Sequence, residues 1–244
     1  MRFELFPIID KMKGLYCKPI SANRFQEYIT ELQGKTKGDM SLPISGFNPM
    51  AKEHIIQKLD ELIDLEAEKI IERTLEELNV SIANTQVDRT FKVVINLADD
   101  LKGGWTNHYT TDFDSKFKLN AFVTRNFCSP YFWSSENYSK ELVKQRILEY
   151  AFRTIYWTEN TKPITLEEHF QQELFVAKKL NTKSGTVDKE NYEKLKLFFE
   201  VNREKDDYSL IFNFFYGDRV SKSLEFKTFG IGEYTGFHFA KDYK

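Results

Sequence analysis

Apolar and polar residues alternate from Phe91 to Ala98: Phe91, Val93, Ile95 and Leu97 point one way, Lys92, Val94, Asn96 and Ala98 the other. That period of two predicts a strand with one strongly apolar face. The pattern returns at 116–123, where Phe117, Leu119, Ala121 and Val123 oppose Lys116, Lys118, Asn120 and Phe122. The seventeen residues between them, Asp99 to Ser115, far exceed the roughly 2–5 residues of a hairpin loop. Trp105, Tyr109 and Phe113 recur there at every fourth position, so the connection is expected to be ordered on its own apolar anchors. Near the C-terminus, Tyr208, Leu210, Phe212, Phe214 and Tyr216 alternate with Ser209, Ile211, Asn213 and Phe215, and the period resumes over 220–229. With Gly217-Asp218 between the two runs, residues 207–229 read as a hairpin.

Helical spacing governs the rest. Ser21 is placed to cap a helix carrying Phe25, Tyr28, Ile29 and Leu32, which Gly34 ends. Residues 34–48 hold three glycines and a proline and are the candidate mobile loop. Asn48-Pro49 then opens one long helix, expected over 49–78, whose stripe of Ile56, Leu59, Leu62, Ile63, Ile70, Ile71 and Leu78 would back the sheet or serve self-association of the chain. Ser134-Ser135 is read as the cap of a helix reaching about Trp157, and Thr165-Leu166-Glu167-Glu168 as a capping box for the next. Asp188 would cap a short helix with Tyr192, Leu195, Phe198 and Phe199, and Gly230 to Gly236 reads as a bent, edge-like segment with no helix after it. Strands grouped apart from helices predict an α+β fold: an antiparallel strand pair near 91–123 and the C-terminal hairpin, packed against several helices in a single domain spanning 1–244.

Composition narrows this picture. Aromatics make up 15% of the 244 residues, enough for a large core. The net charge of −2 offers no basic excess for a phosphate backbone and argues against nucleic acid as a partner. Two cysteines, Cys17 and Cys128, cannot form a disulfide scaffold, and the start MRFELFPIIDKMKG, broken by Glu4, Pro7 and Asp10, has no secretory apolar run. A cytoplasmic protein that does not enter the membrane is expected.

Chemistry-bearing residues crowd into 99–133. The aromatics would wall a cleft for a small polar or aromatic ligand, with Trp105, His108, Tyr109, Asp112, Arg125 and Trp133 as ligand-binding candidates. The aspartates also suit the capping of turns. Asp112-Phe113-Asp114 has an acidic spacing that can hold a divalent metal, and Asp112 and Asp114 are candidates to activate a bound water. His169 and Glu173 stand four apart on one helical face and, with His108, make up the ligand set of an alternative reading, a metal-assisted hydrolase using a divalent metal. The order Glu168-His169-x-x-x-Glu173 departs from the HExxH signature, which needs a second histidine. Cys128 as a nucleophile has no local signature and reads as core, and His54 reads as a surface residue.

Overall fold

A computed structural model describes residues 1–36, 38–101, 106–181 and 189–243. Eleven helices hold 58% of them, and the strands are few, short and parallel. This overturns the α+β expectation of antiparallel sheet elements. The chain divides into two compact units, Met1–Ala151 and Phe152–Lys244.

The first unit begins with β1 (Arg2–Leu5), followed by α1 (Ile9–Tyr16), α2 (Ala22–Gln33), α3 (Glu53–Asp64) and α4 (Ala67–Ser81). β2 (Thr90–Val93) and β3 (Asn96–Ala98) come next, then α5 (His108–Phe117), α6 (Asn120–Thr124), β4 (Phe127–Cys128) and β5 (Tyr131–Trp133). β2 lies between β1 and β4, parallel to both, and β3 pairs in parallel with β5. The breaks at 94–95, between β2 and β3, and at 129–130, between β4 and β5, face each other: Pro130 has no N–H to donate, and the Ser129 hydroxyl lies 3.3 Å from the Val94 carbonyl. Residues 93–99 are buried on both faces, as parallel strands covered by helices must be. On the outer side of β1, the Asn79 side chain takes a hydrogen bond from the Phe3 amide and gives one to its carbonyl, each 2.8 Å, as a neighbouring strand would.

The single strand expected over 91–98, with one apolar face, is two strands, β2 and β3, in different sheets and buried on both faces from Val93 on, and its expected partner is helix. Asn107 caps α5 by accepting from the Thr110 amide at 3.1 Å. The fourfold spacing that suggested loop anchors is the helical repeat: Tyr109, Phe113 and Phe117 lie on one face, and the Phe113 and Phe117 rings pack 4.9 Å apart.

The expected helix over 49–78 is two helices. Ile55, Leu59 and Leu62 face the core in α3, and continuing that stripe would carry Glu66 inward. Instead Glu66 takes a left-handed conformation (φ 56°), and α4 restarts in shifted phase with Ala67, Ile71, Leu75 and Leu78 buried. Of the expected stripe, Leu59, Leu62, Ile71 and Leu78 are buried, while Ile56, Ile63 and Ile70 are half-buried. The 34–48 segment is held from inside: the Asn96 side chain accepts from the Gly46 amide (2.8 Å) and donates to the Pro43 carbonyl (2.6 Å), and Leu42, Ile44 and Phe47 are buried. A Cβ on Gly46 would stand 2.7 Å from Asn96, so glycine permits the approach.

α7 (Lys140–Glu159) contains the boundary between units. The second unit continues with α8 (Leu166–Leu180), α9 (Lys189–Asn202), α10 (Tyr208–Ser223) and α11 (Gly236–Asp242). The capping box at Thr165 and Glu168 forms as its spacing predicts. Asp188 and most of the polar loop before it lie outside the described residues. The hairpin expected over 207–229 is α10, capped by Asp207 accepting from the Leu210 amide at 2.7 Å. A run that is apolar at nearly every position satisfies both periods, and here Leu210 to Phe215 are all buried. Gly217, with φ 76°, bends this helix, and the Asp218 carboxylate gathers the amides of Phe229, Gly230 and Ile231 at 3.1–3.2 Å. Gly236 opens a helix where none was expected, because a Cβ there would lie 2.4 Å from the Phe214 ring and only glycine lets α11 approach. Phe170, Phe199, Phe214 and Phe239 make the aromatic core of this unit. No helix among the described residues is long and apolar enough to cross a membrane.

Candidate functional site

The carboxyl ends of β3 and β5 lie side by side because the strands pair in parallel, Ala98 opposite Trp133. The residues that follow each strand therefore meet: Asp99 and Asp100 after the first, Ser134 and Ser135 after the second. Crevices at the carboxyl ends of parallel strands are where open α/β sheets hold ligands.

Asp100 is saturated with donors. Its Oδ1 accepts from the Ser134 hydroxyl (2.9 Å) and the Ser135 amide (3.0 Å), and its Oδ2 from the Ser135 hydroxyl (2.6 Å) and His108 Nδ1 (2.7 Å). Burial by itself would raise its pKa, but the hydrogen bonds from His108, Ser135 and Ser134 outweigh that and hold the carboxyl well below the usual carboxylate range. Asp100 is thus an ionised acceptor, which selects the tautomer of His108 with its proton on Nδ1.

His108 opens α5. Its ring lies over Trp133, centroids 4.1 Å apart and planes at 35°, with Tyr109 edge-on at 5.2 Å. The His108 side chain is 34% exposed and that of Asp100 only 5%. No described residue hydrogen-bonds its Nε2. One carboxylate and two aromatic rings thus orient a partly exposed imidazole whose Nε2 no described residue engages.

The adjacent aspartate repeats the pairing with a different histidine. Asp99 Oδ1 lies 2.9 Å from Nε2 of His54, in the first turn of α3, and 3.3 Å from the Ser134 hydroxyl. Ser134 thereby spans both carboxylates. His54 is no plain surface residue: it lines a cleft of 710 Å³ with Tyr16, Cys17, Arg24 and Lys52, and its Nδ1 is buried with no described partner.

Of the candidates read from the sequence, His108, Tyr109 and Trp133 come together. Trp133 is only 2% exposed, so it supports the site from beneath, while Tyr109 is half-buried. Asp112 is buried and paired with Lys116 at 2.6 Å, and Asp114 is exposed and paired with Lys118 at 2.7 Å. Both pairs are i, i+4 contacts along α5. Arg125 precedes β4 and so belongs to the opposite, amino end of the strands, where it meets Asp39. Trp105 lies outside the described residues.

The three candidate metal ligands are engaged elsewhere. His108 is held by Asp100 as above. His169 Nδ1 lies 2.8 Å from the Thr165 carbonyl, and burial lowers the pKa of this histidine. Glu173 accepts both arms of the Arg153 guanidinium, at 2.8 and 2.7 Å. No group of three or more His, Cys, Asp and Glu side chains among the described residues is arranged to hold a metal ion.

Ser134, Ser135 and His54 escape a residue-by-residue reading, which makes the serines a helix cap and the histidine a surface residue, whereas Asp99 and Asp100 stand in it among the polar residues of the 99–115 connection that could hold a polar ligand. The available signal is paired: Asp-Asp directly after one apolar strand and Ser-Ser directly after another. It becomes legible only once those strands are known to be parallel neighbours. Comparison with family models, with curated proteins and with solved structures finds no match to this chain.

Proposed function

We propose that the Met1–Ala151 unit binds a small polar or aromatic ligand beside the carboxyl ends of β3 and β5, with His108 Nε2 as its directional contact. The observation that carries this reading is the fixed imidazole: Asp100 sets its tautomer, Trp133 and Tyr109 set its plane, and Nε2 is left without a described partner. Ligand sites combine apolar walls with a few well-placed polar groups, and an oriented imidazole edge among aromatic rings has that character. The adjacent carboxylates of Asp99 and Asp100 favour an uncharged or cationic ligand over an anionic one.

Ligand-observed NMR of small hydroxylated and aromatic compounds tests the reading. Compounds that bind the wild-type chain are expected to lose their signal with His108→Ala. Binding that survives the substitution, or a complete absence of hits, removes the proposal.

A further inference from the structure

We infer that Asp100 and His108 form a proton-transfer dyad, and that the ligand of this site is a substrate: an uncharged ester that the protein hydrolyses. The inference rests on the ligand-binding reading above and adds a reaction to it.

General base catalysis needs an imidazole with one nitrogen oriented by an acceptor and the other within reach of the proton it takes. His108 meets the first condition through a 2.7 Å contact from Nδ1 to Asp100 Oδ2. Its partial exposure, with no described residue hydrogen-bonding Nε2, meets the second. Four donors surround Asp100 in all, so the carboxylate stays ionised beside an imidazole that becomes an imidazolium during reaction, and it stabilises that cation without taking the proton itself.

The step balances without a further reactant. Nε2 takes a proton from water as the water oxygen bonds to the ester carbonyl carbon. The tetrahedral adduct then breaks its carbon–oxygen bond to the alcohol, and Nε2 returns the proton to the departing oxygen. Ester and water become carboxylic acid and alcohol. An uncharged ester is favoured over a phosphate ester because two adjacent carboxylates, Asp99 and Asp100, would oppose a dianionic substrate. In this scheme His108 is the catalytic residue and Asp100 the positioning residue.

The test uses the full chain with p-nitrophenyl acetate, p-nitrophenyl benzoate and p-nitrophenyl phosphate as probes. Hydrolysis of at least one carboxylic ester above the buffer rate is expected. His108→Ala should lower it by about 100-fold or more, and His108→Gln, which preserves side-chain bulk, should do the same. Asp100→Asn should lower kcat while leaving KM unchanged and should alter the pH profile of kcat/KM, which a purely architectural role for Asp100 would not do. No turnover by folded wild-type protein, turnover that survives both His108 variants, or turnover of the phosphate alone overturns the inference. Compound binding lost with His108→Ala but without ester turnover would overturn the dyad and leave the binding reading intact, whereas failure of both removes the site.

Discussion

Each unit buries a carboxylate against a basic side chain, and the two pairs are built to different ends. In the second unit, Glu173 meets the Arg153 guanidinium with two parallel hydrogen bonds, and both side chains are at most 5% exposed. Gln172 donates to the same carboxylate at 2.8 Å and accepts from Trp157 Nε1 at 2.6 Å, tying α7 to α8 through a buried polar network. In the first unit, Asp100 is as deeply buried, but its partner His108 reaches the surface and keeps a nitrogen free of described partners. A pair closed on both sides can only support structure. A pair closed on the carboxylate side and open on the imidazole side can exchange a proton or hold a ligand.

Substitutions separate the two pairs, and the largest effect belongs to the closed one. Glu173→Gln leaves the buried guanidinium without its counter-charge and should cost about 3–5 kcal/mol, seen as a lower urea midpoint for the second unit. A change below about 1 kcal/mol would show that the network closes without the ion pair.

Asp100→Asn comes next. It turns one acceptor oxygen into a donor facing hydroxyl and amide donors, with an expected cost of about 1–3 kcal/mol. It also removes a pH dependence. Because the folded-state pKa of Asp100 is depressed, its contribution is fully present above the ordinary carboxylate pKa near ~3.9 and is lost as pH falls below that toward the lower folded value. Urea midpoints measured from pH 7 to pH 3 should therefore fall less steeply in Asp100→Asn than in the wild type. Equal slopes would mean that Asp100 is not held ionised by its donors.

His108→Ala should move stability least, within about 1 kcal/mol, because the pair is partly exposed and solvent screens it. The comparison is sharpest here. A residue that contributes little to folding and controls ligand binding is acting at a site. A loss of stability as large as that of Glu173→Gln would instead place His108 with the closed pair.

Much of the secondary structure was readable in the sequence, and the errors have physical causes. Ser21, Gly34, Thr165 and Glu168 mark helix ends through their own side chains or backbone freedom, so the signal is local and holds. Apolar runs failed as evidence of type. Tyr208 to Tyr216 and Lys116 to Val123 alternate well enough for strands, yet Asp207 and Asn107, the caps that decide for helix, carry only one residue's worth of signal each. The Glu66 break is visible in hindsight as a charged residue arriving in phase with a buried stripe. Ser134 and Ser135 show the opposite case: good capping residues drawn away by Asp100, while α7 begins only at Lys140.

By itself the chain determined that extended structure would lie within 91–98, though not that it would be two strands, that Ser21 and Thr165 would cap helices, and that His108, Tyr109 and Trp133 stood in the densest neighbourhood of aromatic and ionisable groups. Only the tertiary structure decided that the strands are parallel, that Ser134 and Ser135 close around Asp100, and that His169 and Glu173 serve the second unit's own packing. Caps and periodicity act over a few residues and are written locally. The partner of a carboxylate is chosen by which strand ends are brought together, here across 34 positions of sequence, and no local pattern encodes that choice.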